Sequence, residues 1–234
     1  MTKSAHPERE TQNRIVTFFQ KELGYEYLGN LSEDQNYNIR WGDWKKFLYD
    51  SGFSVDFVDA IQTKFAQILS DFSQSPYHTN KEVYRILKYG LKLAEHPGES
   101  PKTVYFINWK EPEKNNFYIA EEVTVNGNVE KRPDIVLYIN GIAVAVMELK
   151  KSTVSVADGI RQNVTNQREQ FIQRFFSTVQ ICAAANDSEG LRYGTSGTTE
   201  KYYLEWKEDN FTDQLQDKDD LDKEIEAACS KQLN

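Results

Sequence analysis

Residues 131–151 read KRPDIVLYINGIAVAVMELKK, two apolar runs joined by Asn140-Gly141. Asn-Gly between apolar runs is a strong hairpin signal, because both residues accept the positive φ of a type I′ turn. A hairpin commits this part of the chain to antiparallel pairing, and the pairing decides which side chains share a face. Pro133-Asp134 opens the first run and Glu148-Leu149-Lys150 closes the second, so two acids and a lysine gather at the open end. Their register is then decisive. A two-residue loop sets Asp134 across from Met147 and sends Asp134 and Glu148 to opposite faces. A three-residue loop, or a single bulge, sets Asp134 opposite Glu148. Lys150, two residues on, shares the Glu148 face in either case.

Such a cluster is costly without a purpose. Two like charges about 4 Å apart repel by roughly 4 kcal/mol at an effective dielectric of about 20. A hard divalent cation removes that repulsion. Oxygen ligands from Asp134, Glu148 and the main-chain carbonyl of Leu149 suit Mg²⁺, which keeps several waters. Water then becomes a better nucleophile, charge developing on a phosphate is offset, and Lys150 can orient the attacking water. The implied reaction is phosphodiester hydrolysis. The same residue types also form plain strand-end ion pairs worth under about 1 kcal/mol. Pro-Asp placed with its Asp fourteen residues ahead of Glu-x-Lys, with strands in both places, favours the metal site.

Around the hairpin the periodicity changes from helix to sheet. Residues 7–23 read as a helix with Ile15, Phe19 and Leu23 at spacings of four, and Gly24 just past its end. Residues 41–72 read as two helices broken at Gly52, the second with Phe57, Ile61, Phe65 and Leu69 on one face; a third helix is expected over Asn80–Leu87. Alternating strands are expected over Tyr89–Leu93, Val104–Trp109 and 117–125. Residues 155–176 return to a helical period, with Ile160, Val164, Phe171 and Phe175 as the stripe. A short buried strand at 179–185 and edge strands in LRYGT and KYYLEW complete an α/β layer fold, a mixed sheet with a crossover helix behind a helical N-terminal part.

The net charge of −8 argues at first against nucleic acid, but residues 205–226 alone hold ten acids and three bases, a net of −7. The body is near neutral, so a local basic surface is compatible with the composition. Cys182 and Cys229 sit too far apart in character to suggest a disulfide framework. His6, His78 and His96 give no zinc pattern. No apolar run approaches the roughly 18–20 residues of a membrane span, and the opening MTKSAHPERE lacks the apolar stretch of a signal peptide. A cytoplasmic protein, without membrane attachment, is the expectation.

Asp134…Glu148-Leu149-Lys150 resembles the core of the PD-(D/E)xK nucleases. Over a longer stretch, RETQNRIVTFFQKELGYEYLG, NKEVYRILKYG, KRPDIVLYINGIAVAVMELKKSTVSVADGIRQN, ANDSEGLRYGT and EKYYLEWK resemble the N-terminal part of the restriction (R, motor) subunit of type I restriction-modification enzymes. The likeness runs from about residue 7 to 207. It implies a restriction-endonuclease-like mixed sheet flanked by helices. It also implies a Mg²⁺-dependent endonuclease acting on double-stranded DNA, a type I site-specific deoxyribonuclease of a bacterial or archaeal cytoplasm. The resemblance further implies partner methylation and specificity subunits, and ATP-driven translocation by motor domains. No G-x-x-x-x-G-K-[ST] phosphate loop occurs here, so ATP is expected only for motor domains beyond this chain. The domain plan expected is a helical part at 1–88 lending its first helix to the nuclease core, the core at 89–206, and an acidic linker at 207–234.

Carried onto matched positions, the resemblance makes Asp134 and Glu148 metal ligands and Lys150 the completing residue. Gln162 fits the glutamine of the family's Q-x-x-x-Y pattern, but Asn166 stands where the tyrosine would be. One turn apart, Gln162 and Asn166 are expected to share a helix face and to touch DNA, or else to form a solvated polar face. Related nucleases present a glutamate from the first helix to the metal; Glu10 is the candidate and Glu8 the alternative, both also explicable as acids at a helix N-terminus. Phosphate contacts are expected from Lys151, Arg161 and Arg168, with Lys131 and Arg132 leading the strand. Arg161 and Arg168, seven apart, are expected on one helix face. Tyr105, Trp109, Phe117, Tyr202, Tyr203 and Trp206 are expected to pack in the core and along edge strands. The rival reading is a non-catalytic module docking DNA or a partner subunit through the first helix and the aromatic-rich residues 41–72.

Overall fold

Asn140 and Gly141 both take positive φ, 49° and 81°, the backbone of a type I′ turn. The strands they join face one another as a two-residue loop demands, with Ile139 opposite Ile142 and Tyr138 opposite Ala143. One step later the ladder slips. Leu137 pairs with Ala145, which leaves Val144 as an extra residue, a β-bulge. Beyond it Val136 meets Val146 and Ile135 meets Met147. The Val144 carbonyl stays engaged, accepting from the Gln180 N–H at 2.8 Å.

The structure, a computed structural model, describes residues 8–207. In chain order the elements are α1 (Glu8–Lys21), β1 (Glu26–Asn30), α2 (Trp41–Asp50), α3 (Val55–Ser70), α4 (Pro76–Tyr89), β2 (Leu91–Leu93), β3 (Lys102–Val104), β4 (Phe117–Glu121), β5 (Ile135–Ile139), β6 (Ile142–Leu149), α5 (Val156–Asn166), β7 (Ile181–Asn186), β8 (Gly190–Gly194) and β9 (Leu204–Glu205). Seven strands form one mixed sheet in the order β1-β4-β5-β6-β7-β8-β9, while β2 and β3 form a separate ribbon. The β1–β4 and β6–β7 pairs are parallel, and α5 provides the crossover from β6 to β7. This is the mixed α/β sheet with a helical N-terminal part that the sequence implied.

Local chemistry explains the helix limits. Ser54 caps α3 by accepting from the Phe57 N–H, and the buried residues Phe57, Ile61 and Phe65 follow at spacings of four. Helix α4 is longer than the Asn80–Leu87 expected. Ser75 caps it, Pro76 occupies its first position and Gly90, at φ 79°, ends it. Helix α5 is shorter than the 155–176 expected. It stops at Asn166, and the Ile172 N–H returns to the Asn166 carbonyl, so Phe171 and Phe175 do not continue its stripe. Phe175 packs instead with Val136, Tyr138 and Val146.

Strand limits differ too. Strand β1 was not anticipated, the strand expected over Val104–Trp109 lies instead at Lys102–Val104 and overlaps it only at Val104, and β4 ends at Glu121 because Glu122 turns to φ 52°. Residues 208–234, the body of the expected acidic linker, lie outside the described residues, as does His6.

Three apolar clusters clamp the hairpin. Helices α2, α3 and α4 pack Trp44, Leu48, Phe65 and Val83 against Ile142 near the turn. Val16 of α1 packs on Ile119, Ile135 and Leu149 at the open end. Val136, Tyr138 and Val146 meet Phe175 and Phe176 between them. The turn itself is pinned by amides. Fully buried Asn140 donates to the Phe106 carbonyl at 2.9 Å and to Asn115 Oδ1 at 2.8 Å, and its Oδ1 accepts from the Asn116 N–H at 2.7 Å.

A side chain cannot be added at Gly141. A Cβ there would lie 2.6 Å from the Arg40 carbonyl oxygen and 2.9 Å from the Trp44 nitrogen. Gly141→Ala is therefore expected to cost more than about 1 kcal/mol, lowering Tm by several degrees. Gly42→Ala, inside α2 with nothing within 4 Å of the added carbon, is expected to hold or gain stability. Thermal unfolding of the two variants checks the contrast.

Candidate active site

The bulge decides what meets at the open end of the hairpin. One pair beyond Ile135–Met147, Asp134 stands opposite Glu148, on the face that α5 covers. Asp134 Oδ2 accepts from the Leu149 N–H at 2.6 Å, and Lys150 turns its ammonium onto the Leu149 carbonyl oxygen at 2.8 Å. Glu148 is fully buried. Its Oε1 accepts from Asn166 Nδ2 at 3.3 Å, while its Oε2 has no hydrogen-bond partner among the described residues. Helix α5 comes this close because Gly159 faces the strand: a Cβ there would meet Ala184 Cβ at 3.0 Å and Glu148 Cβ at 3.5 Å.

In front of Asp134 and Lys150 lies a cavity of about 340 Å³ lined by Glu8, Glu122, Glu130, Lys131, Arg132, Asp134, Lys150 and Gln162, with Glu148 buried behind it and not among the lining residues. Among the described residues no group of three or more His, Cys, Asp or Glu side chains is placed to hold a metal ion. The donors gathered here are two carboxylates and one main-chain carbonyl, all hard oxygen of the kind that suits Mg²⁺. Glu148 Oε2 accepts from no N–H among the described residues, but Asp134 and Glu148 stand close enough to share a proton; a divalent ion would take the place of that proton.

Burial dominates the titration of this pair. It lifts Asp134 from 3.8 to about 6, against the opposing pull of the Leu149 N–H and the Lys150 ammonium. Glu148 is raised well above the usual carboxylate range, first by burial and then by the neighbouring Asp134 charge, with Lys150 again opposing. Without a cation, the pair therefore holds its protons to higher pH than free carboxylates do.

Other expected site residues divide into those brought to the cavity and those not. Gln162 lines it. Glu8 lines it, whereas Glu10 is not among the lining residues. Asn166 is 1% exposed, so it faces Glu148 and not DNA, and it does not share a solvent face with Gln162. Arg161 and Arg168 do not share a helix face, because α5 ends before Arg168. Arg161 is paired with Asp158 at 2.6 Å and with Glu200 at 3.0 Å. Arg132 is paired with Glu122 at 2.9 Å, and the Lys131 ammonium lies 4.4 Å from the centre of the Phe171 ring. Lys151 is exposed beside the site.

Two residues at the site were not anticipated. Gln12, buried in α1, donates to the Asp134 carbonyl at 3.2 Å and to Glu122 Oε1 at 3.3 Å. Glu122 holds Gln12 and Arg132 together from a left-handed backbone. The visible signal for Glu122 was the doubled acid inside the otherwise apolar FYIAEEVTV.

The aromatics also require correction. Tyr105, Trp109, Tyr202 and Trp206 are all more than half exposed, because they stand on loops and turns outside the strands. The aromatic faces of residues 41–72 point the other way, with Trp44, Phe47, Phe57 and Phe65 buried in the core. They are not a free docking surface.

The raised carboxylates give a pH dependence with a definite sign. Between about pH 4 and 6 the folded chain binds more protons than the unfolded chain. The contribution to metal-free stability is thus present at low pH and is lost as pH rises through the folded value. For Asp134 alone, moving from 3.8 to about 6 corresponds to about 3 kcal/mol. Unfolding in chelator from pH 4.5 to 7.5 is expected to show wild type losing stability relative to Asp134→Asn across that range.

The chain is similar in sequence to subunits of type I restriction enzymes. A Methanocaldococcus jannaschii protein named as the MjaIXP endonuclease subunit of a type I restriction enzyme is 25% identical over 207 residues, covering 80% of this chain and 19% of that protein. The type I restriction enzyme SauMSSORF170P endonuclease subunit of Staphylococcus aureus (strain MSSA476) is 28% identical over 140 residues, 58% of this chain and 15% of its own length. The chain thus spans about a fifth or less of these curated relatives. Among the described residues no helix is long and apolar enough to cross a membrane. Residues 6–201 match the family described as type I restriction enzyme R protein N terminus, and the chain belongs to that family.

Proposed function

We propose that this chain is the Mg²⁺-dependent endonuclease domain of a type I restriction subunit, hydrolysing phosphodiester bonds of duplex DNA. The observation that carries the reading is the bulged register. It sets Asp134 opposite Glu148 beside Lys150 and leaves Glu148 Oε2 buried without a donor. Asp134, Glu148 and the Leu149 carbonyl would hold the ion. A bound divalent cation supplies Lewis acidity to the scissile phosphate and acidifies water.

The remaining chemistry falls to the chain's own groups. Lys150 carries its ammonium at the cavity wall, where it orients the attacking water and balances negative charge growing on the phosphate. Gln162, on the same wall, offers an amide to the DNA backbone. Lys131 and Arg132 line the cavity, Lys151 is exposed next to Lys150 in the chain, and the three supply phosphate contacts without sequence information. Such contacts weaken with salt, and a near-neutral body makes few of them. Binding by this chain alone is therefore weak. In the full subunit, ATP-driven translocation belongs to motor domains outside this chain, and methylation and specificity subunits bring the complex to its target.

Lys150→Ala is expected to lower plasmid cleavage by the complete complex at least about 100-fold, with divalent-ion affinity of the chain retained. Cleavage at the wild-type rate would remove Lys150 from the mechanism. Calorimetric titration with Mn²⁺ separates this reading from a docking module: binding that disappears in Asp134→Ala supports the nuclease, and a wild-type chain that binds no divalent ion supports docking.

A further inference from the structure

The buried face of α5 runs through Val156, Gly159, Ile160, Asn163 and Asn166. Two of these residues carry amides. Asn163 spends its Nδ2 on the Ala183 carbonyl at 2.7 Å, a bond between helix and strand, and its Oδ1 has no hydrogen-bond partner among the described residues. Asn166 does something different. Its Nδ2 reaches Glu148 Oε1 at 3.3 Å, and its own Oδ1 is likewise buried with no hydrogen-bond partner among the described residues.

What sets Asn166 apart is the acceptor its donor end meets, the oxygen of a fully buried carboxylate instead of a main-chain carbonyl. That orientation carries the sign an ionised glutamate needs, because an N–H stabilises the charged oxygen. It also divides the labour of the carboxylate, with Oε1 tied back to the helix and Oε2 left without a partner. Gly159 keeps the helix close enough for this bond, its position 3.0 Å from Ala184 Cβ admitting no side chain without a shift.

We infer that Asn166 is a positioning residue for the divalent cation, pinning Glu148 so that one oxygen, in one orientation, faces the ion. The inference rests on the metal reading proposed above. Groups that orient a metal ligand from behind shape affinity nearly as strongly as the ligands do. The position where the Q-x-x-x-Y pattern lacks its tyrosine is thereby filled by a side chain with a defined contact.

The test is Mn²⁺ titration calorimetry of the chain, with wild type compared to Asn166→Leu, alongside thermal unfolding in chelator. Leucine is close in volume and removes both the donor and the orphaned acceptor. Affinity is expected to fall about 10–100-fold, while metal-free Tm stays level or rises. A role confined to packing would give the reverse, a lower Tm with unchanged affinity, and would overturn the inference. Should Asn166→Leu fail to fold, Asn166→Ser, smaller and too short to reach Oε1, carries the same comparison with the same expected loss. Wild type binding Mn²⁺ with the variant binding equally well sinks the inference alone. Wild type binding none sinks the metal reading and the inference with it.

Discussion

A β-ladder has a parity: each residue added to one strand of a pair turns every later side chain to the other face. The type I′ turn at Asn140-Gly141 fixes that parity one way at the tip of the hairpin, and the bulge at Val144 reverses it before the open end. The two devices lie within five residues of one another, yet they govern groups at the far end of both strands. With the turn alone, Asp134 would still face α5, whereas Glu148 would turn to the side of α1. The protein defends the bulge from several directions. Gln180 takes the Val144 carbonyl, the amides of Asn115 and Asn140 lock the turn, and the core under α2 closes over Gly141.

The second constraint is electrical. Glu148 is as buried as the aliphatic residues around it, and an isolated charge in such a place is expensive. Burial raises both carboxylates, with Lys150 and the Leu149 N–H pulling the other way. Stability alone gives no reason to keep such a pair, since apolar residues of similar volume would fill the same space. The site concentrates unfavourable terms in one small volume, as reactive sites do.

How much was legible follows from what kind of signal each feature leaves. The turn was plain, because Asn-Gly is a chemical mark. The bulge was not, because IAVAVM is apolar on both faces and has no polar phase to betray a slip. Only the need for two acids to meet pointed to it. Ser75-Pro76 and Gly90 bounded α4 in plain sight, although the apolar periodicity covered less. The end of α5 was hidden, because Phe171 and Phe175 fall at helical spacing after the helix has stopped. Strand β1 contains Gly29 and begins and ends on the polar Glu26 and Asn30, which leaves only two apolar residues inside it to announce a strand. Whether Glu8 or Glu10 reaches the cavity depends on how α1 rolls on the sheet, which buried Thr11, Gln12 and Val16 decide together. The membership of α5 in the site was readable, but the inward turn of Asn166 was not, since asparagine is usually an exposed residue.

The link between Arg132 and Glu122 has a meaning of its own. At rest, the guanidinium on the cavity rim already holds a carboxylate, so the mouth of the site behaves as a closed ion exchanger loaded with its own counterion. An anion at the rim competes with Glu122 for the Nε of that guanidinium, and Glu122 is also the partner of Gln12 beneath the Asp134 carbonyl. Occupation of the rim is thereby linked, through one ion pair, to the support under the first acid.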